Sequence, residues 1–252
     1  MGTRFYDVYC GLLKSFTLEE VDRFYQSSLK RGFYGCAPCI EVVENEDIGM
    51  LREKLETVRR AFDDLNEKGE RVYLRCTLKI GSQGRVKRLL PLIRRKCDLV
   101  AIEAASREIA AFASRDRRID IITLVPNVSP ILFRGDISYL YEYGKFIEVV
   151  FASIIDENPL QFARKLAYTR SLLQRPLAKN LPVLISSGPT GSVDSRALLS
   201  FAETVLGIKY LHLRQAMSTQ IEKKLSENQE KRQGIIPVEG VRLETGGQDE
   251  GS

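Results

Sequence analysis

The sequence predicts an α/β fold, a TIM-like (β/α) barrel with about seven parallel strands. Short apolar runs alternate with helix-length segments along the chain, which favours parallel strands joined by right-handed crossovers. The runs 97–103 and 119–125 are β-branched or apolar almost throughout, as buried parallel strands are. No break in composition marks a domain boundary within 1–212, so a single closed barrel is favoured over an open sheet.

Each element is predicted from its local pattern of apolar residues and from residues that cap or interrupt helices. The strand runs are 4–10, 33–43, 72–80, 97–103, 119–125, 146–152 and a seventh run beginning at Leu181. The helical segments are 17–32, 48–68, 85–96, 106–115, 159–175 and 192–207, with an irregular or helical segment over 129–143. Thr17 and Glu20 have capping-box spacing, and Ser192 is the expected cap of the last helix. Pro91 predicts a kink or two short turns within 85–96.

The C-terminal part of the chain differs in composition from the barrel. Residues 213–243 predict a charged helix and an extension packed on or beside the barrel, with Met217, Ile221 and Leu225 as its apolar stripe. The tail 244–252 is polar and glycine-rich, which predicts disorder. Because the sequence shows neither a signal peptide nor an apolar run near the roughly 20 residues of a membrane span, we expect a cytoplasmic protein without a membrane partner.

Charge is distributed unevenly along the chain. The formal net charge is +5, yet the stretches 71–97 and 158–193 contain no acidic residue, whereas acids concentrate within 41–70. Basic residues in the acid-free stretches fall on the outer faces of the predicted helices, among them Lys87, Arg88, Arg94 and Arg95. This separation favours one basic face that binds a polyanion, with a merely solvated face as the alternative.

The sequence offers little for metal or thiol chemistry. Its one histidine, His212, lies in no metal-ligand pattern, which argues against a histidine-built catalytic metal centre. Cys36 and Cys39 have the spacing of a redox pair or half a zinc site, but they fall inside a predicted strand and not at a helix N-terminus. We therefore expect five buried, reduced thiols, at the following positions: Cys10, Cys36, Cys39, Cys76 and Cys97.

Carboxylates on the predicted strands are better candidates for chemistry. Asp7, Glu103 and Glu148 either face the barrel mouth or pair with Arg75 or Lys79, and structural pairing is favoured. The loop Ser186-Ser187-Gly188 is a weak candidate for holding a substrate phosphate, since loops after late barrel strands often do so.

Four ordered motifs resemble a known family. They are Cys97-Asp98-Leu99-Val100-Ala101-Ile102, Asp116-Arg117-Arg118-Ile119-Asp120-Ile121-Ile122, Ile147-Glu148-Val149-Val150 and Leu184-Ile185-Ser186-Ser187-Gly188. In order and spacing they resemble protein component 3 of archaeal ribonuclease P, the family shared with the thirty-kilodalton eukaryotic subunit. The resemblance covers about 97–207, with a weaker match at Phe5-Tyr6-Asp7. After its Ser-Ser-Gly strand the family usually has Gly-Ala, where this chain has Pro189-Thr190.

The resemblance implies a protein subunit of a ribonucleoprotein that removes the 5′ leader from precursor tRNA. Catalysis then belongs to the RNA and its magnesium ions, so this chain has no catalytic residue, no metal site and no cofactor of its own. The implied partners are the ribonuclease P RNA, precursor tRNA through the holoenzyme, and protein component 2 with the other protein subunits. The competing hypothesis is a phosphate-binding barrel enzyme that acts on a small phosphorylated metabolite with Glu103 or Glu148 as base.

On this hypothesis the basic helix faces contact RNA phosphates. The predicted RNA-binding residues are Arg85, Lys87, Arg88, Arg94, Arg95, Lys96, Arg107, Arg164, Lys165, Arg170, Arg175, Lys179 and Arg196.

Overall fold

The computed structural model describes residues 4–126 and 132–234 and confirms the predicted fold class. The strands are β1 Tyr6–Asp7, β2 Gly35–Cys36, β3 Cys39–Val43, β4 Arg75–Lys79, β5 Leu99–Glu103, β6 Ile121–Thr123, β7 Phe146–Val150 and β8 Val183–Ser186. Strands β3 to β8 form a six-stranded parallel sheet in sequence order, and β1 pairs in parallel with β2. Sequence-order neighbours joined by helices are the connectivity of a (β/α) barrel.

Main-chain hydrogen bonds of the segment after β1 close the sheet into a barrel. On one side, Gly188 N–H donates to Tyr9 O at 2.7 Å and Leu12 N–H donates to Pro189 O at 3.2 Å. On the other side, Leu13 N–H donates to Cys39 O at 2.9 Å. The segment therefore lies between β8 and β3. The predicted run 33–43 is divided into β2 and β3, where Pro38 has no N–H to donate to a sheet partner.

Helices cover the outside of the barrel. They are α1 Leu18–Lys30, α2 Ile48–Glu67, α3 Gln83–Lys96, α4 Arg107–Arg115, α5 Arg134–Glu142, α6 Phe151–Ile154, α7 Pro159–Ala178, α8 Ser195–Thr204, α9 Tyr210–Arg214 and α10 Ile221–Arg232. A π-helical segment, Gln215–Gln220, joins α9 to α10. Within the predicted segment 129–143, residues 129–131 lie outside the described residues.

Helix caps match the sequence in some places and not in others. Thr17 caps α1 by accepting from Glu20 N–H at 3.3 Å, as the capping-box spacing predicts. The prediction that Ser192 caps α8 is wrong, because Asp194 accepts from Ala197 N–H at 2.8 Å. Helix α3 runs through Pro91 without dividing into two turns. Pro91 is exposed, so water can reach the carbonyl left without a helical donor.

The C-terminal helix lies against the end of the barrel at which the strands begin, here called the amino end. Asn228 of α10 donates to the carbonyl of Asp98, just before β5, at 2.9 Å. Tyr6 OH donates to Glu222 at 2.9 Å, while Ile221 and Leu225 are buried. The predicted extension and disordered tail from 235 onward lie outside the described residues, and the predicted domain boundaries stay a prediction.

The cysteine expectation is wrong for two residues. Cys76 of β4 and Cys97, the C-cap of α3, form a disulfide with a Cα–Cα distance of 6.0 Å. Cys10, Cys36 and Cys39 are buried free thiols. The end of α3 returns beside β4, so the two partners meet although 21 positions separate them in sequence.

Among the described residues, no helix has the length and apolarity to cross a membrane.

Candidate nucleic-acid interface

The centre of the barrel holds a buried ion pair between β4 and β7. Arg75 donates to both carboxylate oxygens of Glu148, at 2.5 and 2.6 Å. Thr123 and Ser186 hydroxyls donate to the same carboxylate at 2.6 and 2.7 Å. Burial alone would raise the pKa of Glu148, but the Arg75 guanidinium and the two hydroxyls hold this pKa below its usual value. Glu148 is therefore an ionised, fully engaged structural group, and no lone pair is left to act as a general base.

The carboxyl end of the barrel, at which the strands finish, carries a second set of paired charges. Lys79 Nζ lies 2.8 Å from Glu41 and 3.2 Å from Glu103. Tyr9 OH donates to Glu41 at 2.6 Å. The predicted structural pairing is confirmed for Glu103 and Glu148. A cavity of about 190 Å³ remains at this end, lined in part by Tyr9, Lys79 and Glu103.

Asp7 and the loop after β8 form a third contact at this end. Asp7 Oδ1 accepts from Tyr9 N–H at 3.2 Å and from Ser187 N–H at 3.1 Å. The prediction of a cation partner for Asp7 is wrong, since no ion pair joins it to a Lys or Arg in the described part of the chain. Burial raises the pKa of Asp7 to about 6.

The loop 186–191 does not fit the predicted phosphate-binding role. The Ser187 amide donates to the Asp7 carboxylate, and the Gly188 amide donates to Tyr9 O, so both are occupied by barrel closure. The Asp7 carboxylate itself lies where an anion would bind. Gly191 has a φ of +53°, and a Cβ there would lie 1.9 Å from Cys10 O. Glycine at this position serves close packing of the loop against the first strand segment.

Helix α3 presents only some of the predicted cations to solvent. Lys87, Arg88 and Arg95 are exposed. The expectation that Arg94 points away from the protein is wrong, because its guanidinium lies 2.5 Å from Asp120, which also accepts from Val100 N–H. This pairing joins the end of α3 to the start of β6. Two further residues are partly buried: Arg85 donates to Glu46 O, and Lys96 lies 3.8 Å from Glu56.

The remaining predicted residues lie on α4, α7 and α8, or just beyond α7. Five of them are exposed: Arg164, Arg170, Arg175, Lys179 and Arg196. Lys165 pairs with Asp156 at 3.0 Å, and Arg107 pairs with the buried Asp136 at 2.8 Å. The predicted set is thus spread over several faces, and no structural observation tests its contact with RNA.

The amino end of the barrel carries a groove that the sequence did not indicate. A cavity of about 660 Å³ lies between α5, α10 and the starts of β6 to β8, and eight Lys or Arg side chains and three carboxylates line it. A second cavity of about 910 Å³ lies between α5 and α7, lined by Arg134, Arg175 and Lys179. Tyr141 and Asn180 line both cavities, which we therefore treat together as the amino-end groove.

Four of the predicted RNA-binding residues line the groove, namely Arg94, Arg95, Arg175 and Lys179. Sequence reasoning did not group them at one site because the cations of the groove come from distant segments. Arg117-Arg118 and Lys223-Lys224 are visible as basic pairs, but about a hundred positions lie between them. Only the packing of α10 against the strand starts brings them together.

In the described ranges 4–126 and 132–234, no group of three or more His, Cys, Asp or Glu side chains is placed to hold a metal ion.

Comparison with known proteins agrees with the barrel fold. A chain from the cryo-EM structure of archaeal Ribonuclease P with mature tRNA has a TM-score of 0.64 and 16% identity, covering 97% of this chain and 100% of that chain. The crystal structure of A. niger ochratoxinase has a TM-score of 0.54 and 12% identity, covering 88% of this chain and 71% of that chain. At these identities the likeness shows the fold alone.

The family assignment comes from sequence. No curated protein matches the chain. The family model described as RNase P subunit p30 matches residues 29–233, which is well over half of the sequence. This match includes the four motifs noted above, together with α2, α7 and α10. The chain belongs to the RNase P subunit p30 family.

Proposed function

We propose that this RNase P subunit assists RNA-catalysed removal of the 5′ leader from precursor tRNA by binding the RNase P RNA and a partner protein subunit, and that it performs no chemistry itself. The observation that carries the proposal is a division of charge. Carboxylates in the barrel interior and at its carboxyl end are engaged by protein donors, whereas exposed cations lie on α3 and α7 and around the amino-end groove. Exposed Lys and Arg without carboxylate partners are the groups that phosphates attract.

The proposal that this chain is not itself catalytic is supported by the contacts of Glu103 and Glu148, the two candidate general bases, because both carboxylates are engaged by protein groups. Glu148 accepts hydrogen bonds from Arg75, Thr123 and Ser186 and is fully buried. Glu103 shares Lys79 with Glu41. The alternative of a phosphate-binding barrel enzyme would need one of these carboxylates free and the loop 186–191 open to an anion. Neither condition fits the geometry.

The proposed partners follow from family membership. They are the RNase P RNA, precursor tRNA through the holoenzyme, and protein component 2 with the other subunits. On this proposal magnesium acts through the catalytic RNA, so the chain itself holds no cofactor. The cytoplasmic location stays a prediction.

Reconstitution of precursor-tRNA cleavage tests the proposal. We expect the RNase P RNA with all protein subunits to cleave at lower magnesium than the same mixture without this chain, because the chain offsets phosphate repulsion within the RNA. The purified chain alone, with magnesium, should leave precursor tRNA intact. RNA-independent cleavage that disappears in a folded Glu103→Gln variant would overturn the proposal and show that the protein itself is catalytic. An unchanged magnesium requirement with and without the chain would contradict the assisting role.

A further inference from the structure

The amino-end groove has the shape of a channel and not of an isolated pit. Its two cavities, of about 660 and 910 Å³, meet at α5, where Tyr141 and Asn180 line both. One wall is formed by α10 and the residues that precede the strands, and the other by α5 and the end of α7. A ligand that fills the groove must therefore be extended.

The groove carries five cations that have no carboxylate partner among the described residues. Arg95 and Lys231 line the first cavity, and Arg134, Arg175 and Lys179 line the second. All five side chains are exposed, and none forms an ion pair with a carboxylate within the described residues. Arg175 makes one long hydrogen bond of 3.4 Å to Leu132 O. Elsewhere in the groove, Arg94 is neutralised by Asp120 and Arg118 by Asp116. The five cations without a carboxylate partner are thus the groups open to a ligand, and their number favours a ligand with several negative charges.

An exposed aromatic ring lies at the junction of the cavities. Tyr141 is 70% exposed, the largest exposed fraction among the large hydrophobic side chains of the described residues. Its neighbour Tyr143 is half-buried, and the Arg117 guanidinium lies 4.7 Å from the centre of that ring. A positively charged groove with an aromatic platform is the arrangement that binds single-stranded nucleic acid, since every base has a face that can stack.

We propose that the amino-end groove binds single-stranded RNA, with phosphates against Arg95, Arg134, Arg175, Lys179 and Lys231 and an unpaired base stacked on Tyr141. This site rests on the proposed RNA-binding function and assigns it to the amino-end groove, which includes Arg95 of α3 and Arg175 of α7 but not the other exposed cations of those helices. Single-stranded RNA is favoured over a duplex because bases in a helix have their faces covered by neighbours. It is favoured over an acidic peptide because a carboxylate gains nothing from the Tyr141 ring, whose negative face repels anions.

The test is equilibrium binding of the full-length chain to a fluorescent oligoribonucleotide of about ten unpaired nucleotides, a common site size for such grooves. A duplex of equal length and a polyglutamate peptide serve as competing probes. Tyr141→Ala should weaken single-strand affinity by about 5- to 160-fold, the loss expected for one stacked base, and leave duplex affinity unchanged. Tyr141→Phe keeps the ring and should bind like the wild-type chain. Tyr210→Ala, which removes another exposed tyrosine, is the matched control.

The phosphate contacts are tested by the triple variant Arg134→Ala, Arg175→Ala and Lys179→Ala. The slope of log K against log salt for this variant should be shallower by about 2, because each phosphate contact with a single strand contributes about 0.7 to the slope. The control triple Lys30→Ala, Arg52→Ala and Arg60→Ala removes the same charge from exposed positions of α1 and α2 and should leave the slope unchanged.

Equal slope changes in both triples, loss of duplex binding alone, or stronger binding of polyglutamate than of RNA would overturn the groove assignment. If the groove variants bind the single strand as the wild-type chain does and still lower the magnesium requirement of reconstituted cleavage, the groove assignment fails and the proposed function stands. If the wild-type chain itself does not lower that requirement, the proposed function fails.

Discussion

The two ends of the barrel use the same residue types in opposite ways. At the carboxyl end, Lys79 is held by Glu41 and Glu103 beside a cavity of about 190 Å³. At the amino end, cavities of about 660 and 910 Å³ are lined by many more cations than carboxylates. TIM-barrel enzymes place their active sites at the carboxyl end. The cations differ in their partners as well: Lys79 at the carboxyl end pairs with two carboxylates, whereas five exposed cations of the amino-end groove form no ion pair within the described residues. This difference is why we propose the amino end as the RNA-binding end.

The largest expected effect is on the buried pair below the carboxyl end. Arg75→Met leaves the Glu148 carboxylate buried without its cation, so we expect the free energy of unfolding to fall by about 3 to 5 kcal/mol. Lys79→Met removes a cation whose side chain is 34% exposed and should cost less than about 1 kcal/mol. Urea denaturation of both variants measures the difference. Similar losses would break the distinction between the interior pair and the surface pairs.

Reduction of the disulfide should cost slightly less. Cys76 and Cys97 close a loop of 21 positions, for which chain entropy predicts about 3 kcal/mol of stability. The bond also fixes the end of α3, and with it Arg95, relative to β4. Urea unfolding with and without a reductant measures the loss. A thiol titration in denaturant should find three free thiols per chain before reduction and five after; five before reduction would contradict the pairing.

Asp7 shows the effect of burial on a carboxylate that has no ion-pair partner within the described residues, and the pH dependence of stability measures this effect. Because burial raises the pKa of Asp7 to about 6 from an unfolded value of 3.8, the folded state binds this proton more tightly than the unfolded chain does. The contribution of Asp7 to the free energy of unfolding is therefore fully present below about pH 4 and is lost as pH rises through about 6. For a shift of about two pKa units this contribution is on the order of 3 kcal/mol. Asp7→Asn keeps an oxygen acceptor for the Ser187 amide and should flatten this dependence. The same pH slope in both proteins would contradict the assignment.

The smallest expected effect concerns the outer helix faces predicted from sequence. Arg88→Ala together with Arg164→Ala removes two exposed cations that do not line the amino-end groove. If both contact phosphates, the salt dependence of RNA binding should become shallower by about 0.7 to 0.9 per contact, with no sequence preference. Circular dichroism confirms the fold of the variant. An unchanged slope would mean that these faces are merely solvated and that the RNA-binding surface lies elsewhere.

The sequence predicted the elements well because their signals are local. Apolar runs marked the strands, and Thr17 marked the start of α1. What it missed depends on contacts between distant segments. The pairing of Arg94 with Asp120 arises only when α3 packs beside β6, and the disulfide arises when its end returns to β4. The amino-end groove requires α5, α7 and α10 to converge, which no spacing along the chain reveals.

Photo-crosslinking of the reconstituted holoenzyme, followed by mass spectrometry of the peptides attached to RNase P RNA, tests most directly which end of the barrel faces RNA. The expected result is attachment through peptides that contain Tyr141, residues 175–180 and residues 223–232, which line the amino-end groove. Cross-links should be lost in the triple variant of Arg134, Arg175 and Lys179 and kept in the control triple of Lys30, Arg52 and Arg60. Attachment concentrated instead in the carboxyl-end loops 79–81, 103–105 and 186–191 would contradict the account.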